Sequence, residues 1–540
     1  MLGNMHLPTL RDEHAMLSQG VIVHGTILST WMDSTNWMEV ILWACLALVG
    51  ISFLRALMAY NRNSSRPIDW PVVRMLPGLL MNAQNLYEWL TILLIETGGS
   101  FQFWGPWFTN INYFFTADPR NVEHVLRLNF NNYPKGPNFT DIFRDLLGNG
   151  IFNADNELWQ LQRKASSLQM KSRLCKEFTD ETIIASVNKK LLPILHHFCG
   201  TATPIDLQDL MLRFTFDTMC IVGFGMDVGC LSQDLPSIPF ASAFEHALDC
   251  IMFRFFLPPT WWKTLKFLQI GKENGMPASI QAVNRFLDHI VLTRRRELQV
   301  DTCSNSKADL LSCFMRLEEY SLDDKFLKDM SINFLLAGRD TSALALSWFF
   351  WLVATHPHAE EKIVEEVNQV FGSSNKPSLS RDVLRRLTYL HAALSEALRL
   401  YPSVPVDVKH IIEDDVLPDG NHIKKGHRFT YSTYSMGRMQ SIWGSDCTSF
   451  RPERWLSEDG TSCRQDISPF QYPAFNAGPR TCLGKDVAYF TMKAVASMLL
   501  LHFKVKLVPG HKVVPKISVT LYMKHGLLVT LEPRETKLGA

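Results

Sequence analysis

The sequence predicts a mainly α-helical fold with small β-sheets, on three observations. From about residue 85 onward, apolar residues recur at helical spacing in stretches separated by short Pro- or Gly-bearing turns. One stretch, Ser321 to His356, is the longest and is apolar all round at its centre, the pattern of a helix in the middle of a large core. Near the C-terminus Ile517, Val519, Leu521 and Met523 alternate with more polar residues, and Leu527, Val529 and Leu531 do so after His525-Gly526, which predicts a β-hairpin.

In chain order, residues 1–36 lack helical periodicity and read as an N-terminal extension, with Met38 as an alternative initiator. Residues 37–60 follow as a transmembrane anchor. Val40 to Leu54 carries no charge, and Trp37 to Tyr60 is interrupted only by Glu39 and Arg55. About 20 helical residues at ~1.5 Å rise cross a ~30 Å hydrocarbon core; a buried core helix is the alternative. Arg11 is the only basic residue before the run, whereas Arg55, Arg62, Arg66 and Arg74 follow it, so the bulk of the chain is expected on the cytosolic side. Pro67, Pro71 and Pro77 make residues 61–84 a stiff hinge. Residues 85–540 form the large helical domain, in which the Ser- and Asn-rich tracts at 301–307 and 373–380 read as surface loops.

Bulk chemistry narrows the function. The chain has 540 residues with 54 basic against 53 acidic side chains, so no nucleic-acid partner is implied. Apolar residues at 46%, with 34 Phe and 14 Trp, exclude a disordered chain and point to large buried cores. Eleven cysteines without a C-x-x-C pair suggest neither a disulfide scaffold nor a zinc ribbon. Gly223-Phe224-Gly225 has its next glycine at 229, which breaks the dinucleotide fingerprint.

The sharpest local signal is Phe475-Asn476-Ala477-Gly478-Pro479-Arg480-Thr481-Cys482-Leu483-Gly484. Glycines on both sides of Cys482 permit a tight loop whose amides point at the sulfur, and Arg480 adds positive potential; both favour a thiolate. A thiolate is an axial ligand of haem iron. The alternative for a lone cysteine is a buried structural residue in a turn. This loop resembles the haem-binding signature of the cytochrome P450 family, and four further motifs agree with it. Glu396-Ala397-Leu398-Arg399 resembles the family's E-x-x-R. Pro452-Glu453-Arg454-Trp455 is similar to its P-E-R-F, with Trp for Phe. Ala337-Gly338-Arg339-Asp340-Thr341-Ser342 resembles the oxygen-activation motif, and Trp159 with Arg163 the W-x-x-x-R that meets a haem propionate.

The resemblance implies the fold of that family, with haem b (iron protoporphyrin IX) held by Trp159, Arg163, Phe475, Gly478, Arg480, Cys482 and Gly484, and Cys482 as the metal ligand. Glu396 and Arg399 are one helical turn apart, so a solvated ion pair is one reading and a buried triad with Arg454 the other. Thr341 either back-bonds to the preceding turn or, with Asp340, organises water for proton delivery, with Gly338 either loosening the helix or simply packing. Trp159 and Arg163 are either propionate donors or an ordinary amphipathic pair.

The run from Pro405 to Lys409, the segment Asp414 to Gly420, and Tyr431 to Arg438 resemble the plant fatty-acid ω-hydroxylases, and Tyr522 to Leu527 their very-long-chain branch. By that resemblance Phe139, Phe143, Leu336, Ala337, Val404, Val406, Leu521 and Tyr522 line the substrate channel. The expected protein is a monooxygenase of the endoplasmic reticulum membrane, single-pass with its catalytic domain cytosolic. It takes electrons from NADPH-cytochrome P450 reductase and hydroxylates the terminal carbon of a long-chain fatty acid. A haem-binding sensor, or a haem-thiolate isomerase or lyase, is the alternative.

Overall fold

The computed structural model describes residues 67–534 apart from 110, 202, 301–308, 317–322 and 373–378, together with residues 40, 43–48, 50, 51 and 54. The chain divides into two compact units, residues 1–78 and 79–540. In the first, the ten described residues of the expected anchor are helical, and Val40, Trp43, Leu46, Ile51 and Leu54 expose their side chains. The rest of the anchor, the whole extension and the first part of the hinge lie outside the described residues, as does most of the two Ser- and Asn-rich tracts. No helix among the described residues is long and apolar enough to cross a membrane.

The second unit is helical around one long axis. Its principal helices are α1 (Leu86–Glu96), α2 (Gly136–Leu147), α3 (Asn156–Lys171), α4 (Arg173–Ser186), α5 (Leu207–Phe224), α6 (Pro239–Phe255), α7 (Met276–Val300), α8 (Asp324–Thr355), α9 (Pro357–Phe371), α10 (Thr388–Leu400) and α11 (Lys485–His502). The strands are β1 (Ser100–Trp104), β2 (Asn112–Thr116), β3 (Ile205–Asp206), β4 (Asp407–His410), β5 (Asp415–Val416), β6 (His422–Ile423), β7 (Arg428–Tyr431), β8 (Phe503–Leu507) and β9 (Leu528–Pro533). They form a four-stranded sheet in the order β1-β2-β7-β4, a three-stranded sheet β3-β9-β8 and the pair β5-β6.

Helix α8 is the predicted axis, with a corrected start. Asp323, not Ser321, is its N-cap: the Asp323 carboxylate accepts from Phe326 N. A carboxylate at that position also meets the positive end of the helix dipole, which a serine does not. The C-terminal stop is as expected, since Pro357 holds His356 extended (φ −129°, ψ 77°). Leu344, Leu346, Trp348, Phe349 and Phe350 are buried in the main core with α10 and α11.

Helices α5 and α8 meet at Gly338. A Cβ there would lie 2.3 Å from Met219 Sδ, and Thr215 Oγ1 donates to Arg339 O at 2.8 Å. The α8 backbone runs unbroken through Gly338, so this glycine permits close helix packing and does not loosen the helix.

The predicted C-terminal hairpin is also corrected. β9 pairs antiparallel with β8 and β3, while 517–523 is not a strand beside it. Only Pro515 and Met523 form an isolated bridge there. The alternation in 517–523 has a different cause: Leu521 and Met523 enter the core, while Ser518, Val519 and Thr520 border a cavity.

Candidate active site

The Cys482 loop is built on two constrained turns. Gly478 has φ +66°, and a Cβ on it would sit 2.0 Å from Leu126 O, so no other residue fits. Asn476 also adopts positive φ, 57°. Cys482 N donates to Phe475 O at 2.8 Å, which closes the loop, and Gly484 then opens α11. The Cys482 side chain faces a cavity of about 530 Å³. Its depth in the protein pushes the thiol above the ordinary value even though the side chain opens onto the cavity, opposed by the Gly484 N–H and by the charges of Arg163 and Lys485. Arg480 does not take the part expected of it beside the sulfur. It pairs with Asp155 at 2.7 Å, donates to Ala154 O at 2.9 Å and stacks over the Trp159 ring at 4.5 Å.

The cavity brings together most of the residues singled out from sequence. Trp159 and Arg163 from α3, Phe475, Arg480, Cys482 and Gly484 from the loop, and Leu336, Ala337, Gly338 and Thr341 from α8 all line it, as do Phe139, Phe143, Val404 and Val406. Leu521 and Tyr522 do not; their neighbours Val519 and Thr520 do. Leu521 is wholly buried, with its carbonyl accepting from Trp348 Nε1 at 2.7 Å. The Tyr522 hydroxyl meets Arg339 and Asp340 instead. Asp340 also lies off the cavity wall, fully buried, with Oδ1 paired to Arg339 Nη1 at 2.7 Å. Thr341 Oγ1 donates to Ala337 O at 2.5 Å, the back-bonded arrangement, while its side chain borders the cavity.

Sequence reasoning missed a buried charge cluster beside the loop. Asp407 takes Lys135 at 2.6 Å and Lys409 at 2.8 Å, and the Tyr431 hydroxyl donates to it at 3.1 Å. These two cations hold the Asp407 carboxyl far below the usual carboxylate range despite burial, and burial lowers Lys409 to about 7. The pairing spans β4 and the start of α2, a separation no local pattern announces.

A flat macrocycle with two carboxylates fits this donor set. Cys482 offers one sulfur, Trp159, Arg163 and Arg480 offer N–H donors, and α8 adds Leu336, Ala337, Gly338 and Thr341 to the same cavity lining. A Cβ on Gly484 would meet only Cys482 Sγ and Met170 Cε, both at 3.9 Å, so space is open on the sulfur's cavity side.

The family model Cytochrome P450 matches residues 69–535. The chain belongs to the cytochrome P450 family. Relatives include Cytochrome P450 86B1 of Arabidopsis thaliana, 48% identical over 90% of this chain and 89% of that protein. Alkane hydroxylase MAH1, also of Arabidopsis thaliana, is 38% identical over 89% of this chain and 97% of its own length. Cytochrome P450 CYP94D108 of Paris polyphylla is 40% identical over 86% and 92%. The cofactor of this cytochrome P450 family is haem b, and the residues above fit it. When bound, the haem binds and activates dioxygen.

Proposed function

We propose that this monooxygenase hydroxylates the terminal carbon of long- or very-long-chain fatty acids, with related unbranched alkyl chains as further substrates. The observation that carries the reading is the cavity wall. Phe139, Phe143 and Phe255 form an aromatic triangle with ring centroids 4.6–6.1 Å apart. Leu336, Ala337, Val404 and Val406 extend the apolar surface. Such a wall holds an alkyl chain by dispersion and burial, about 0.8 kcal/mol per buried methylene, and excludes water from it. The name of Alkane hydroxylase MAH1 supports a saturated hydrocarbon chain as substrate. In this reading Thr341 holds a hydroxyl at the cavity, Asp340 supplies protons, and Trp159, Arg163 and Arg480 orient the haem carboxylates.

Electrons come from NADPH-cytochrome P450 reductase, and the first unit tethers the enzyme to the endoplasmic reticulum with the catalytic unit in the cytosol. Exposed Trp43, Leu46, Ile51 and Leu54 on helical backbone support the tether. The test is product analysis from microsomes holding the enzyme and reductase, fed NADPH and ladders of fatty acids and alkanes. Terminal alcohols whose yield rises with chain length are expected. In-chain alcohols alone, or no NADPH-dependent product, would refute the reading.

A further inference from the structure

Monooxygenation consumes two electrons, two protons and one dioxygen for each hydroxyl formed, with water as the second product, so protons must enter an apolar cavity. Asp340 is the acid of the motif, yet its carboxylate faces away from the cavity. Successive helical residues are about 100° apart, and here Thr341 takes the cavity side while Asp340 turns to Arg339, Tyr522 and Thr520. Thr341 Oγ1 spends its proton on Ala337 O.

A different hydroxyl bridges the two sides. Thr520 lines the cavity, and its Oγ1 donates to Asp340 Oδ2 at 3.4 Å. The turn that carries it is pinned on every side. Tyr87 donates to Ser518 O at 3.1 Å, Leu521 N to Ser403 O at 3.0 Å and Trp348 Nε1 to Leu521 O at 2.7 Å. Ser403 Oγ in turn donates to Thr341 O at 2.7 Å, which ties this turn to α8 at the motif itself.

The charge balance suits proton release from Asp340. Arg339 is divided between Asp340 at 2.7 Å and Glu245 of α6 at 2.8 Å, and Glu245 is 44% exposed. Tyr522 completes the cluster. Arg339 therefore neutralises Asp340 when it is ionised, and Glu245 shares that cation from the solvent side.

We propose that Thr520 is the hydroxyl through which Asp340 passes a proton into the cavity. The protonated carboxyl of Asp340 donates to Thr520 Oγ1 as the Thr520 hydroxyl proton moves to an acceptor in the cavity. One O–H bond breaks and one forms at Thr520, Asp340 is left as a carboxylate against Arg339, and a proton drawn from bulk solvent at the exposed Glu245 end of the cluster restores it. The inference rests on the reading of Asp340 as the proton source.

The test compares Thr520→Val, Thr520→Ser and Asp340→Asn, with Thr520→Val also made in the Asp340→Asn background. Four quantities are read with a fatty acid that the wild type hydroxylates: haem content, the substrate-induced spectral shift, product per NADPH, and the solvent isotope effect on turnover. Thr520→Val should keep haem content and the titration midpoint of the spectral shift. Its product per NADPH should fall by about tenfold, less than the 10²–10⁴ typical of a lost general acid because water replaces part of the path. Its solvent isotope effect should change, Thr520→Ser should restore both, and Thr520→Val should add nothing to Asp340→Asn. Normal coupling in Thr520→Val, no rescue by Ser, or a full further loss in the Asp340→Asn background would each overturn the role of Thr520. Normal coupling in Asp340→Asn would instead remove Asp340 as the proton source, and the Thr520 relay with it.

Discussion

Glu396 and Arg399, one turn apart on α10, form a bidentate ion pair, Nε to Oε2 and Nη2 to Oε1 both at 2.7 Å, with both side chains fully closed to solvent. Arg399 also donates to the carbonyls of Gly437, Cys447 and Ser449, and Arg454 Nε reaches Glu396 Oε1 at 3.4 Å. The spacing is that of a surface pair, but burial makes it a support for the segment leading to the Cys482 loop.

Glu396→Gln should therefore destabilise the protein by about 3–5 kcal/mol, because it leaves the Arg399 charge buried and uncompensated. Urea unfolding measures this, and haem content should fall in parallel. A loss under 1 kcal/mol would mean that the pair is not closed to solvent.

Trp455 stands where the resemblance expects Phe, and its Nε1 donates to Glu396 Oε2 at 2.8 Å. Phe has no donor for that carboxylate. Trp455→Phe should cost about 1.5–3 kcal/mol, the range for a hydrogen bond to a charged group. An unfolding midpoint equal to wild type would show the indole acting only by packing.

His391 of α10 packs on the Tyr489 ring with centroids 4.2 Å apart. Burial first, then Lys493 and Lys485, lower it from 6.5 to about 4. Between those values the unfolded chain binds the proton and the native chain does not, so stability falls as pH drops from about 6.5 towards 4. The loss is at most about 3.5 kcal/mol at ~1.4 kcal/mol per pH unit. His391→Phe should flatten that acid-side slope in unfolding measured from pH 7 to 4; an unchanged slope would assign it to other groups.

What could be read from sequence depended on how local the physics is. The Cys482 loop was legible because its glycines, its φ values and its sulfur lie within ten consecutive positions. The end of α8 was legible because Pro357 forbids continuation, whereas its start moved because Asp323 competes with Ser321 as cap. Leu521 and Tyr522 were misplaced because facing core or cavity is decided by distant partners, Trp348 for one and Arg339 for the other. The cluster of Lys135, Asp407 and Lys409 was missed for the same reason. Charges brought together across β4 and α2 leave no periodic trace in the chain.

Cys482→Ser should abolish the red-shifted Soret band of the reduced carbon monoxide complex while the apoprotein still folds. The Cys482 side chain faces the cavity and packs no core. Near-wild-type circular dichroism with that band lost is the expected pair of results. Survival of the band would move the sulfur ligand elsewhere.

The proposed cytosolic placement has a reporter within the chain. Asn138-Phe139-Thr140 is a glycosylation acceptor by pattern, on α2 and partly exposed. The other acceptor, Asn63-Ser64-Ser65, lies outside the described residues and close to the expected bilayer. If Arg55, Arg62, Arg66 and Arg74 hold their flank in the cytosol, Asn138 never meets the luminal transferase. Microsomal protein should then show no mobility change with glycosidase, and protease added to sealed vesicles should digest the catalytic unit. Opposite insertion would present Asn138 to the transferase before α2 packs, leaving a glycan where Phe139 and Phe143 line the cavity, and would shield the unit from protease. A glycan on Asn138 would thus overturn the orientation, and with it the supply of electrons from a reductase facing the cytosol.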